Sequence, residues 1–146
     1  MKQLTKTQNI FHKLEDITIR HNISSIYAFG SRSKEIAALI RGEPFIANYP
    51  ISDVDIGVQP VHGYRHKAKE KVCLTIDLEN LFQVHRIDLV VLTETSAFLA
   101  LDIIQGELIF CTNYDEQAEQ ELYFLRLAGD LAYFERQRRS QILWEG

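Results

Sequence analysis

The chain has 146 residues, of which 46% are hydrophobic and 25% charged, and its formal net charge is −4. This length and composition are typical of one globular domain, and the negative charge argues against a general nucleic-acid-binding function. No apolar stretch reaches the roughly 20 residues needed to cross a bilayer. Residues 1–6 lack the apolar core of a signal peptide, and Cys73 and Cys111 are isolated in the sequence. We therefore expect a cytoplasmic protein with both thiols reduced and buried.

The spacing of apolar residues predicts alternating helices and strands within a single domain spanning residues 1–146. The first half is predicted to begin with an amphipathic helix from Leu4 to His21 and a strand at Ile23–Phe29. A second helix follows, capped by Ser31 and ended by Gly42 and Pro44. A loop through Asn48, Tyr49 and Pro50 then leads to a strand at Asp53–Val58.

The second half continues the alternation and ends in one long helix. Its first predicted elements are a helix over Lys67–Gln83, a strand over Arg86–Leu92 and a short helix from Thr95 or Ser96 to Ile104. A strand over Glu107–Cys111 and a helix from Tyr114 onward follow. The buried face of this last helix is predicted to consist of Leu122, Leu125, Ala128, Leu131 and Phe134. Tyr123, Tyr133 and Phe134 of the same helix could contact a partner, but their helical spacing favours a place in the core. The pattern favours an α/β or α+β sheet covered by helices.

Three aspartates lie where predicted strands begin. Asp53 and Asp55 are two residues apart on one strand, so their side chains point to the same side of the sheet. Asp88 lies at the start of the apolar run of the next strand, which we expect to be central in the sheet, and all three carboxylates converge if the two strands are neighbours. A divalent cation such as Mg²⁺ would relieve their repulsion. The alternative is that these residues are ordinary turn aspartates.

A Gly-Ser turn lies between the first strand and the helix that follows it. Gly30 lets a phosphate approach the backbone closely, and a helix beginning at Ser31 offers free N–H groups to an anion. Arg32 adds positive charge nearby. The alternative is a strand-to-helix turn with no ligand.

The order of these segments resembles the minimal nucleotidyltransferases (MNT) of the DNA polymerase β superfamily. The matching segments, from about Ser24 onward, are Phe29-Gly30-Ser31-Arg32, Ser52-Asp53-Val54-Asp55-Ile56-Gly57-Val58, Ile87-Asp88-Leu89-Val90-Val91-Leu92, the short helix to Gln105, the turn into Gly106-Glu107-Leu108-Ile109-Phe110 and the final helix. One departure is the interval from Lys34 to Tyr49, which is much longer than usual in that family. The resemblance implies a polymerase-β-like fold with a mixed four-stranded sheet.

The resemblance also implies a metal-dependent phosphoryl transfer. Asp53, Asp55 and Asp88 would hold Mg²⁺, with two ions expected, and Asp88 would also orient the attacking hydroxyl or accept its proton. Gly30, Ser31 and Arg32 would bind the nucleotide, expected to be ATP. Small members of the family resemble the antitoxins of HEPN–MNT toxin–antitoxin pairs, which add AMP to a tyrosine of the toxin. No histidine follows His85, so the chain lacks the toxins' Arg/His motif and would be the transferase half.

Two other functions remain open at this level. The chain could be an antitoxin or regulatory subunit that neutralises a partner by contact alone. It could instead modify a small molecule such as an antibiotic, although the segment after Gly106 leaves little room for the helical domain that such enzymes usually carry.

Overall fold

The computed structural model of the chain describes residues 6–42 and 53–145. Its elements, in chain order, are α1 (Lys6–Arg20), β1 (Ile23–Phe29), α2 (Ser33–Arg41), β2 (Asp53–Pro60), α3 (Ala68–Phe82), β3 (Arg86–Val91), α4 (Ala97–Ile104), β4 (Glu107–Cys111) and α5 (Tyr114–Glu145). The order of helices and strands is the predicted one. The predicted loop through Asn48 and Pro50, and residues 43–49 of the long interval from Lys34 to Tyr49, lie outside the described residues; the earlier part of that interval belongs to α2 and to Gly42, which ends it.

The four strands form one mixed sheet in the order β3-β2-β1-β4. The central strand β1 is antiparallel to both of its neighbours, whereas β2 and β3 are parallel. This mixed sheet, with helices on its faces and a long final helix, confirms the predicted fold class. The parallel pair requires a crossover, which α3 supplies.

The prediction that the strand bearing Asp88 is central was wrong. β3 lies at the edge of the sheet, and the central positions belong to β1 and β2. The strand is nevertheless apolar because helices cover both of its faces: Val91 packs in the core under α3, and Val90 packs toward α4 and α5. An apolar run therefore indicates covered faces and does not distinguish a central strand from an edge strand.

Two hydrophobic clusters lie on opposite faces of the sheet. The larger one packs α1, α2 and α3 against alternate residues of β2, including Val54, Ile56 and Val58. The smaller one packs Tyr27 of β1 with residues of α4 and α5. Gly57 belongs to this second face, where an added Cβ atom would lie 2.4 Å from Ile103 Cγ2. Because Asp53 and Asp55 alternate with Val54 and Ile56, they share the face of Gly57.

The helix ends follow the predicted signals with one correction. Gly42 ends α2 with φ +70°, and the Ser96 hydroxyl accepts a hydrogen bond of 3.2 Å from the Leu99 N–H at the start of α4. Ser31 does not cap α2. It lies within a 3-10 turn over Gly30–Arg32, and α2 begins at Ser33 without a side-chain cap.

Some side chains predicted to be buried are exposed. Cys73 is exposed on α3, and Cys111 is only partly buried. On α5 the buried side chains include Phe124 and Ala128, whereas six predicted core residues are exposed: Leu122, Tyr123, Leu125, Leu131, Tyr133 and Phe134. Leu122, Tyr123 and Leu125 lie beside the buried Phe124, so a different face of α5 is buried from the one predicted, and Leu131, Tyr133 and Phe134 lie beyond Ala128, where α5 is exposed. Among the described helices, none combines the length and hydrophobicity needed to span a membrane.

Candidate active site

The parallel pairing of β2 and β3 brings the predicted acidic residues together. Asp55 is directly opposite Asp88, and Asp53 is opposite Arg86. Paired residues on neighbouring strands project to the same face, so Asp53, Asp55, Arg86 and Asp88 all lie on the face covered by α4 and α5. The site is therefore the starting edge of two parallel strands.

The surroundings of Asp55 shift the pKa of its side chain. Burial raises the pKa of its carboxyl group, and the nearby charges of Asp88 and Asp53 raise it further. Of the three, Asp53 is the exposed residue, while Asp55 and Asp88 are half-buried. A group of like charges with an elevated pKa is a common property of sites that bind cations or move protons.

Arg86 is a member of this site that the sequence did not identify. Its Nε–H donates a hydrogen bond of 3.2 Å to Asp88 Oδ1. The two residues share a face because they are two positions apart on β3. This spacing within the predicted strand Arg86–Leu92 was the available signal, and it becomes informative only once Arg86 is known to lie opposite Asp53. The pair partly compensates the charge of Asp88.

Gly30 brings the end of β1 against the same carboxylates. The preceding residue, Phe29, pairs with Asp55. Gly30 has φ +77°, and a Cβ atom there would lie 2.5 Å from Asp55 Oδ2. A residue without a side chain is therefore needed at this turn both for its backbone conformation and for its contact with the acid.

Ser31 and Arg32 complete the same turn, and the side chain of Arg32 is already bonded to a neighbouring residue. Ser31 is exposed, next to Gly30. Arg32 donates from Nη1 to Glu35 Oε1 at 3.1 Å. The turn thus offers a glycine backbone and an exposed serine side chain, while the guanidinium of Arg32 is held by a neighbouring acid.

The carboxylates suit Mg²⁺ by chemistry. Within residues 6–42 and 53–145, no three His, Cys, Asp or Glu side chains lie close enough to form a ready metal cluster. Asp88 is paired with Arg86, and the charges of Asp88 and Asp53 raise the pKa of Asp55. Mg²⁺ is typically held by one or two carboxylates together with substrate phosphates. Asp53 and Asp55 provide that donor set.

Solved structures of similar fold include toxin–antitoxin complexes. A chain of a toxin–antitoxin crystal structure with AMP-PNP superposes with a TM-score of 0.60 at 19% identity, over 90% of this chain and 94% of that chain. A structure of a tri-AMPylated Shewanella oneidensis HEPN toxin in complex with MNT antitoxin gives 0.57 at 19% identity, over 93% and 95%. A MntA–HepT toxin–antitoxin structure gives 0.57 at 18%, over 92% and 95%. These likenesses show that the chain shares the fold of these structures.

A match to a protein-family model identifies the family, although no significant relative is found among curated proteins. Residues 12–115, more than two thirds of the chain, match the family model described as "Polymerase beta, Nucleotidyltransferase". This match covers β1, β2 and β3 with the residues of the site, and it confirms the expected enzyme class. The chain therefore belongs to the polymerase beta nucleotidyltransferase family.

Proposed function

We propose that this protein is a Mg²⁺-dependent nucleotidyltransferase that transfers AMP from ATP to a hydroxyl group of a partner protein, as the antitoxin of a HEPN toxin–antitoxin pair. The observation that carries the proposal is the register of β2 and β3, which sets Asp55 opposite Asp88 with Gly30 against Asp55. Support for the partner comes from the similar fold of the toxin–antitoxin structures with AMP-PNP and with an AMPylated HEPN toxin.

Each residue of the site has a distinct role in this proposal. Gly30 and Ser31 bind the β- and γ-phosphates through the turn, and Arg32 lies beside them. Asp53 and Asp55, with Asp88, would hold Mg²⁺, which when bound neutralises the triphosphate and stabilises the leaving pyrophosphate. Asp88 orients the acceptor hydroxyl and takes its proton, and Arg86 holds the Asp88 carboxylate in position.

The chemical step is a displacement at the α-phosphorus. The acceptor oxygen forms a bond to this phosphorus, the bond to the oxygen that bridges the α- and β-phosphates breaks, and pyrophosphate leaves. The proton of the hydroxyl passes to the Asp88 carboxylate. Since the reaction needs little covalent chemistry from the protein, the residues act mainly by positioning the substrates and stabilising charge.

Label transfer from ATP tests the proposal directly. We would incubate α-³²P-ATP and Mg²⁺ with a HEPN protein encoded beside this chain, using wild type, the Asp53→Ala/Asp55→Ala variant and an Asp102→Ala control. Asp102 is an exposed acid on α4. We expect labelled partner with wild type and the control, and a loss of at least about a hundredfold in the double variant, since even supporting residues of metal sites contribute 10- to 100-fold. Label transfer that persists in the double variant contradicts the catalytic assignment.

The exposed apolar residues of α5 favour a second candidate, neutralisation by binding alone. Leu122, Leu125, Tyr133 and Phe134 are uncovered in the isolated chain, as expected of a helix that contacts another protein. Toxin rescue assays with the same double variant separate the two functions. Growth that the variant still restores supports binding, whereas growth that requires Asp53 and Asp55 supports catalysis.

A further inference from the structure

A groove runs along the outer edge of the sheet and reaches the candidate active site. It has a volume of about 430 Å³ and lies between α3 and β3. Val72 and Ile76 of α3 and Leu89 of β3 contribute apolar surface, and Asp88 lines it as well. The groove is therefore continuous with the position at which the acceptor hydroxyl is expected.

The outer edge of β3, beside this groove, has backbone groups that can bond to another strand. Within the part of the chain that the structure describes, β3 pairs with β2 on one side and with no strand on the other. Such an edge presents a row of backbone N–H and C=O groups that can pair with an added strand. Val72 and Ile76 are 57% and 50% exposed, so the adjoining wall of α3 is uncovered.

The pleat of the sheet specifies how an added strand would be oriented. A residue paired with Asp88 would project to the same face as Asp88 and Asp55. The residues before and after it would pair with Ile87 and Leu89 and would project to the opposite face, toward Val72 and Ile76. One strand would thus place a hydroxyl at the acids and two apolar side chains in the groove.

We propose that the acceptor reaches the site as an extended peptide segment that pairs with the outer edge of β3, with its hydroxyl residue opposite Asp88 and apolar residues at positions −1 and +1 in the groove. This inference rests on the proposed function, and it narrows the acceptor from any hydroxyl group of a partner protein to one in an extended segment with apolar–hydroxyl–apolar alternation.

Peptide binding tests the inference without requiring catalysis. The probes are fluorescein-labelled, amidated heptapeptides, and fluorescence anisotropy is measured on the full chain without nucleotide. The first has the sequence Lys-Thr-Val-Tyr-Val-Thr-Lys. Its isomer Lys-Val-Thr-Tyr-Thr-Val-Lys moves both valines to the tyrosine face, and a third peptide carries N-methyl groups on both valines and the tyrosine of the first, so that N–H groups facing β3 are blocked in either alignment.

We expect the first peptide to bind about tenfold more tightly than its isomer, because apolar burial of one side chain contributes at least that much. The N-methylated peptide is expected to bind about tenfold more weakly than the first, because its central residues cannot donate backbone hydrogen bonds to the edge of β3. Equal binding of all three peptides, or binding of none, overturns the inference.

Two matched variants locate the binding surface. Ile76→Asp places a charge in the groove, and Ile19→Asp places one on α1 at an exposed isoleucine outside the groove, 67% exposed. We expect Ile76→Asp to weaken binding of the first peptide by about tenfold and Ile19→Asp to leave it unchanged. Thermal unfolding of both variants checks that they are folded.

The outcomes separate this inference from the proposed function. If Ile76→Asp binds the peptide like wild type while label transfer to the partner continues, the edge of β3 is not the acceptor site and the proposed function stands. If the peptides bind as expected but no label is transferred, the inference stands and the catalytic proposal fails.

Discussion

The turn at Gly30 combines a left-handed backbone with a carboxylate contact, and these two effects can be separated. Gly30→Ala is expected to destabilise the fold by about 2–4 kcal/mol, because alanine at φ +77° is strained and its Cβ atom would lie 2.5 Å from Asp55 Oδ2. Label transfer should fall as well, since Asp55 must move. Chemical unfolding and the transfer assay measure the two effects.

Gly63 is the matched control for this substitution. It has φ +80°, and a Cβ atom there would have no neighbour within 4 Å. Gly63→Ala should therefore cost only about 1 kcal/mol from the backbone and leave label transfer unchanged. Equal destabilisation by the two substitutions would show that the contact with Asp55 contributes nothing.

Asp55 links the site to stability through its raised pKa. Because the pKa is higher in the folded protein than in the unfolded chain, folding is favoured below the unfolded-state pKa and loses stability as pH rises through the folded-state pKa. Asp55→Asn removes this loss. We expect a higher melting temperature than wild type at neutral pH, a difference that vanishes near about pH 3, and a loss of activity.

Thermal unfolding from about pH 3 to pH 8 checks this expectation. Asp102→Asn serves as the control because Asp102 is an exposed acid away from the paired strands. A wild-type melting temperature that rises above that of Asp55→Asn as the pH increases contradicts the assigned sign.

The grouping of the acids could be predicted from the sequence, while the role of Arg86 could not. Asp53 and Asp55 alternate with apolar residues, so their shared face follows from the strand period alone. The position of Arg86 beside Asp53 depends on the register of β2 and β3, which is set by packing on both sides of the sheet. Similarly, the 3-10 turn at Ser31 reflects the approach of Gly30 to Asp55, a tertiary contact that local sequence does not encode.

At the scale of elements, a buried polar contact joins α5 to the central strand. The Tyr27 hydroxyl donates to Glu121 Oε1 at 2.9 Å and accepts from Gln117 Nε2 at 2.9 Å. Burial is the main reason that the pKa of Tyr27 is raised well above its usual range. Tyr27→Phe leaves both partners without this hydroxyl, so we expect a loss of about 1–3 kcal/mol.

Tyr123→Phe is the corresponding control on α5, since the Tyr123 side chain is 59% exposed. Urea unfolding should show no change for Tyr123→Phe and a lower midpoint for Tyr27→Phe. A midpoint for Tyr27→Phe equal to that of wild type would mean that the contact does not stabilise the docking of α5.

The bounds of the helices and strands were largely predictable from the sequence, whereas their positions in the fold were less so. The bounds of β1 and β4 match the predicted strands because turn residues or glycines flank both. The edge position of β3 could not be deduced, because its covered faces give the same apolar run as a central strand. The exposed side of α5 was also missed, since a helical period does not reveal how far a helix extends beyond its support.

At the scale of the whole molecule, residues 129–140 of α5 contribute little to the core. Ala128 is the last buried side chain up to residue 140, and residues 129–140 are exposed or partly exposed. A chain ending at Ala132 should therefore retain a melting temperature within about 3 °C of the full chain, because residues 133–140 bury little apolar area. It should also bind its partner more weakly if α5 contacts that partner.

Differential scanning calorimetry and partner co-purification measure these two properties. A chain ending at Tyr123 is the destabilised comparison, because it lacks the buried Phe124 and Ala128 and would open the core. Unfolding of the chain ending at Ala132 would show that the residues after Ala132 stabilise the domain.

The parallel pairing of β2 and β3 has a consequence for the folding pathway. Asp55 and Asp88 are separated in sequence by the whole of α3, so their charges meet only when the crossover closes, a non-local and therefore slow event. Their repulsion opposes this event, and salt screens it. Stopped-flow refolding of wild type should thus accelerate with added sodium chloride more than that of Asp55→Asn, and equal salt dependence would place the meeting of these charges after the rate-limiting barrier.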